Sequence, residues 1–138
     1  MSRPICGEDE RFIRGITSAH VDEGELSIDF FKGEAISVNR LCIADEQESI
    51  LLLKAILRES QPNSIWKGHA TFEHSRLKTE TAQYVTRNKD LRNAGFTIWV
   101  EADPLPRNPG HAEVMPKVPR GLANYLIFQT NFFSLFYE

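Results

Sequence analysis

Residues 65–73, IWKGHATFE, set Trp66, Gly68, Ala70 and Phe72 against Lys67, His69, Thr71 and Glu73. This alternation constrains the chain more than any other feature, because a period of two belongs to a strand with one dry and one wet face. The same period recurs. FIRGI, residues 12–16, puts Phe12 and Ile16 on one side with Arg14 at the same parity, and an arginine that points with apolar neighbours needs an anionic partner. ELSIDFF (25–31) and AISVNRL (35–41) alternate on either side of a Lys-Gly-Glu turn and read as a hairpin, whose second arm sets Ser37, Asn39 and Leu41 opposite Ile36 and Val38. FTIWVEA (96–102) reads as a strand. AEVMPKV (112–118) reads as another, confined by Pro116 to an edge or a strand end.

Three segments change to helical spacing. Residues 45–60 open with Asp45 and carry Glu48 three places on, the pair that satisfies free amides at a helix start. Ile50, Leu53, Ile56 and Leu57 then recur along one face, and Pro62 closes the segment. Residues 75–94 carry Leu77, Thr81, Tyr84, Val85 and Leu91 on one side and end at Gly95, and PRGLANYLIF (119–128) predicts a shorter helix. The closing NFFSLFYE is rich enough in aromatics to dock into the core. This order of elements predicts an α+β fold, a mostly antiparallel sheet with helices on one face. At 138 residues, 41% hydrophobic and 25% charged, the chain is sized for a single domain over 1–138 with an aromatic tail over 128–138.

A formal charge of −3 provides no basic footprint, so no nucleic-acid partner is expected. No stretch approaches the length of a membrane span and MSRPICGEDE lacks a basic region followed by an apolar run, so a cytoplasmic protein without a membrane partner is expected. Cys6 and Cys42 stand in no CxxC spacing, which argues for free thiols.

The chemistry concentrates in DPLPRNPGHAEV (103–114). Pro104, Pro106 and Pro109 each fix a backbone angle and restrict the preceding residue, so the loop holds its end still. His111 stands at that end and Glu113 shares its parity, the combination from which a general base or a metal ligand is built, because a carboxylate fixes the imidazole tautomer and supports its charge. His69, on the polar side of its strand, and Cys42, which follows the hairpin, complete a candidate catalytic set of His111, Glu113, His69 and Cys42. With a carboxylate, Cys42, His69 and His111 would also make an acceptable zinc set by ligand type. Arg14, Ser37, Arg40 and Asn108 are candidates for substrate binding, the two arginines because a guanidinium grips a phosphate or carboxylate two-pronged.

The succession FIRGI, FFKGEAISVNR and DPLPRNPGHAEV resembles a loose group of small, mostly uncharacterised bacterial proteins. Their chains run from an Arg-containing strand through a Phe-Lys and Ser-Val-x-Arg segment to an Asp-Pro-Leu-Pro-x-Asn-Pro-x-His-Ala motif. The likeness touches both ends of the chain, leaves residues 45–95 largely unmatched, and implies a shared fold and site. The chain is also similar to the Cys-Glu-His-His proteins that accompany bacterial ubiquitin-like conjugation genes, with Cys42, one of Glu46, Glu48 or Glu59, His69 or His74, and His111 in that order. This likeness implies a hydrolase or metal binder tied to such a conjugation or defence system. FIRGI further resembles the arginine strand that opens ADP-ribosyltransferases, which implies a nucleotide phosphate at Arg14.

The expectation is a hydrolase with a Cys/His/Glu site, metal-assisted if zinc is bound. The alternatives are a non-catalytic module that meets a protein partner through the aromatic tail, and a nucleotide-binding domain.

Overall fold

The computed structural model describes residues 3–128 and 131–138. Its strands are β1 (Arg11–Thr17), β2 (Val21–Asp22), β3 (Glu25–Leu26), β4 (Ile36–Arg40), β5 (Trp66–Glu73), β6 (Trp99–Ala102), β7 (His111–Met115) and β8 (Ser134–Tyr137); its helices are α1 (Glu46–Ser60), α2 (His74–Arg87), α3 (Lys89–Asn93) and α4 (Arg120–Phe128). Six strands form one sheet in the order β6-β7-β4-β1-β5-β8, with every neighbouring pair antiparallel, and β2 and β3 form a separate hairpin. The class is the expected α+β one with an antiparallel sheet, but the helices cover both faces, α2 and α4 on one and α1 on the other.

Register decides what each face carries. Phe12 stands opposite Phe72, Val38 opposite Ala112, and Val100 opposite Val114, so these side chains converge on one face. There they are buried together with Leu77 of α2 and Leu122 and Leu126 of α4. Arg14, of the same parity, lies where β1 and β4 no longer pair and reaches the other face. The odd-numbered positions Ile13, Ser37, Asn39, His69 and His111 belong to the other face, where α1 lies across β1 and β5 and its Glu46 meets His69. Asp45 caps α1 by accepting from the Glu48 amide at 2.8 Å, as its spacing predicts.

Two expected elements differ. Residues 25–31 do not pair with 35–41. Glu23 and Gly24, both at positive φ, close the tight β2–β3 hairpin instead, and Ser27 caps a short 3₁₀ turn over Ile28–Phe30 that drives Phe30 and Phe31 into the core. The strand after the Lys-Gly-Glu turn pairs with β1 and β7. The helix expected over 75–94 breaks at Asn88, whose side chain accepts from the Leu91 amide and starts α3.

Of the aromatic tail expected over 128–138, of which residues 129 and 130 lie outside the described residues, only the part around Phe132 and Phe133 docks in the core, while Phe128, Phe136 and Tyr137 stay exposed. Phe132 is buried, and Phe133 packs edge-on against Phe30, Phe31 and Phe72. β8 then adds to the free edge of β5 at Gly68, where a Cβ would stand 2.1 Å from the Phe136 carbonyl oxygen. No helix among the described residues is long and apolar enough to cross a membrane.

Candidate active site

The proline-rich connection doubles back on itself. Leu105 and Asn108 exchange both backbone hydrogen bonds at 3.0 Å, the His111 amide donates to the Asn108 carbonyl, and the Asp103 amide donates to the His111 carbonyl at 2.9 Å. The stiff loop thus delivers Asp103, just past β6, opposite His111, the first residue of β7. It is also stapled to β4: the buried amides of Asn39 and Asn108 bond reciprocally at 2.7 and 3.0 Å, and the Arg40 amide donates to the Gly110 carbonyl.

Three adjacent strands now present Asp103, His111 and Ser37 in a line. Ser37 lies diagonal to His111, since His111 pairs with Asn39 and Glu113 with Ser37. The His111 ring is almost enclosed, with 10% of its side chain exposed. Its Nδ1 lies 2.9 Å from the Asp103 carbonyl oxygen and 3.3 Å from the Asp103 carboxylate, while Nε2 lies 3.1 Å from the Ser37 hydroxyl. A carbonyl and a carboxylate accept only, so Nδ1 carries the proton. In the neutral ring Nε2 is then an acceptor, and the Ser37 hydroxyl donates to it. That is the direction of proton flow that serine activation by a base requires.

Ser37 and His111 of this line border a cavity of about 630 Å³. Leu53, Ile56 and Leu57 of α1 and Trp66 of β5 form an apolar wall, and Ser37, Asn39 and His111 lie on the opposite side. The wall depends on Gly15, whose absent side chain leaves room for the Trp66 ring; a Cβ there would stand 2.5 Å from it. Arg14 and His20 line the end of the cavity near Ser37.

Arg14 departs from the expectation of an anionic partner. β1 and β4 pair only at Phe12–Arg40 and Ile13–Asn39, and beyond them the Arg14 guanidinium donates to the carbonyls of Phe30 at 2.9 Å and Ser37 at 2.7 Å. It also lies 5.1 Å from the centre of the Phe30 ring. Burial pushes its pKa down to about 10. His20 beside it is pushed down to about 4, by burial first and then by the positive charge of Arg14. The Thr17 amide donates to His20 Nδ1, so the neutral ring carries its proton on Nε2.

The other predicted site residues stand apart from this line. Arg40 is bound two-pronged by Glu10 at 2.8 and 2.9 Å, so its charge is already matched. Cys42 donates its thiol to the same Glu10 at 3.1 Å, and desolvation together with that carboxylate pushes its pKa up, which keeps the thiol protonated. His69 bonds Glu46 at 2.7 Å and stacks on Phe136, three strand spacings from the β7 of His111, or roughly 14 Å. His74 is buried, with both ring nitrogens bonded to backbone. Glu113 shares the His111 face as expected, but it pairs with Arg3, and the Asp103 side chain takes the orienting position. Asn108 lines the cavity with its amide committed to Asn39. Asp103, Arg3 and His20 were not singled out from the sequence; only the acid that opens the proline motif offered a signal.

For zinc, the set Cys42, His69 and His111 is not assembled. The carboxylates of Asp103 and Glu113 lie within 4.8 Å of a His111 ring nitrogen and could contribute ligands. Arg3 already bonds Glu113 and lies 3.4 Å from both Asp103 and Glu101, and His111 has both nitrogens engaged. A zinc ion there would have to expel a guanidinium, so the residues present fit the ion poorly. Among known proteins, no family model, curated protein or solved structure matches the chain.

Proposed function

We propose that the protein is a hydrolase of small esters or related acyl compounds, with Ser37 as nucleophile, His111 as general base and then general acid, and Asp103 as the group that orients His111. The observation that carries this reading is the hydrogen-bonded line from Asp103 through His111 to Ser37, the last two of which border a cavity with an apolar wall. In the first step the Ser37 oxygen attacks the acyl carbon while its proton passes to His111 Nε2, and that proton then goes to the leaving group. Water repeats the sequence on the acyl-serine and releases the acid. Ser37 replaces the cysteine of the expected Cys/His/Glu site, because Cys42 is held as a thiol by Glu10.

The test is covalent. A fluorophosphonate probe should add one equivalent to the wild-type protein, at Ser37 by peptide mass spectrometry, and none to Ser37→Ala or His111→Ala. Equal labelling of wild type and Ser37→Ala would sink the reading.

One observation favours a second reading, a module that binds a protein partner: edge strand β8 leaves Leu135, Phe136 and Tyr137 between 40 and 53% exposed. Removing residues 134–138, which spares the buried Phe132 and the partly buried Phe133, should then abolish association and leave a folded domain.

A further inference from the structure

A cation partly removed from water calls for an anion, and the described residues supply none for Arg14. Its donors go to two carbonyls, its flank to an aromatic ring, and it forms no ion pair within 4 Å. The contrast with the other arginine of the cavity is direct. Arg107, on the loop at the rim, is exposed and paired with Glu59. No carboxylate is among the described residues that line the cavity, so neither wall nor floor offers Arg14 a counter-ion. His20 stands beside it, its Nδ1 accepting from the Thr17 amide and its Nε2 carrying the proton. Charge and donor thus occur at one end of the space and Leu53, Ile56, Leu57 and Trp66 along its side.

We infer that the cavity takes a small organic anion, a carboxylate or phosphate on an apolar body, with the anionic group at Arg14 and His20 and the body against α1 and Trp66. The volume, about 630 Å³, is that of a site for a small organic ligand. Arg14 also bonds the carbonyl of Ser37, so the anionic group is fixed within one residue of the hydroxyl. This inference rests on the hydrolase reading for its consequence, that the substrate is an ester bearing its own negative charge. The binding itself does not need turnover.

The experiment separates the two. By calorimetry on Ser37→Ala, which cannot turn over, 2-naphthoate should bind at least about tenfold more tightly than the neutral 2-naphthamide, as expected of a charge-assisted pair in a partly desolvated site. Arg14→Met should erase that ratio, and Arg14→Lys should keep part of it. If Arg14→Met does not fold, the ratio on Ser37→Ala alone decides, because equal affinities overturn the inference. In parallel, wild type should cleave mono-p-nitrophenyl adipate with a lower KM than p-nitrophenyl hexanoate. Cleavage of both with no preference in either assay removes the anion site and leaves the hydrolase. Preference for naphthoate with no cleavage of either ester removes the hydrolase and leaves the anion site.

Discussion

Two corners of the sheet hold a carboxylate, a nitrogen group and a nucleophilic atom, and the two are connected differently. At the Glu10 corner the carboxylate receives two guanidinium bonds from Arg40, a thiol bond from Cys42 and the amide of Gly7. Every group ends on the same acid, the acid is pulled down to about 2, and the thiol is pushed up. In the Asp103 line each group ends on the next one, so a proton leaving Ser37 has a place to go. Identity of the nucleophile would favour the first corner, since a thiol is intrinsically the better one. Connectivity favours the second.

The largest expected effects test that contrast. Ser37→Ala and His111→Ala should each lower ester hydrolysis by about a thousandfold or more, the scale of removing a member of a serine triad. Cys42→Ser should leave the rate within about twofold, while circular dichroism stays native for all three. A large loss in Cys42→Ser would move the chemistry to the Glu10 corner. Asp103→Asn should lower kcat by only about 10- to 100-fold, less than in triads whose orienting contact is a side chain alone, because the Asp103 backbone carbonyl still holds the Nδ1 proton.

Stability should follow the other corner. Glu10→Gln removes the partner of a partly buried arginine and should cost about 1–3 kcal/mol in urea unfolding, with esterase activity retained in the folded protein. The pH dependence has a definite sign. A carboxylate whose pKa is lowered on folding stabilises the protein above its ordinary range near 4.5, and that stabilisation is lost as pH falls toward about 2. Wild type should therefore weaken over that window, and Glu10→Gln should weaken less.

The smallest effect concerns the acids beside His111. Elemental mass spectrometry of untagged wild type should find little zinc, and Arg3→Ala, by freeing Glu101, Asp103 and Glu113, should raise zinc affinity. Stoichiometric zinc in wild type that disappears in His111→Ala would restore the metal-assisted alternative.

Much of this was legible in the chain. The alternation in 65–73, the cap at Asp45 and the halt at Pro116 located their elements because each signal is local, set by side-chain parity or by the hydrogen bonds of a few adjacent residues. Parity likewise made His111 legible as a candidate base and Ser37 as a candidate for substrate binding, not as a nucleophile. The hairpin expected over 25–41 does not form because Glu23 and Gly24 compete with the Lys-Gly-Glu turn, and alternation in ELSIDFF does not say which turn wins.

By itself the sequence determined the α+β class, the stiff connection and the presence of a histidine at its end. Which carboxylate meets that histidine, and which hydroxyl meets the carboxylate's proxy, was decided only by the pairing of β6, β7 and β4. Glu113 is two residues from His111 but turned to Arg3, whereas Asp103 is eight residues away and 3.3 Å distant. Register, unlike parity, is a long-range quantity: it depends on how an entire loop closes and on what buries the opposite face, and neither is encoded in the spacing of the residues it brings together.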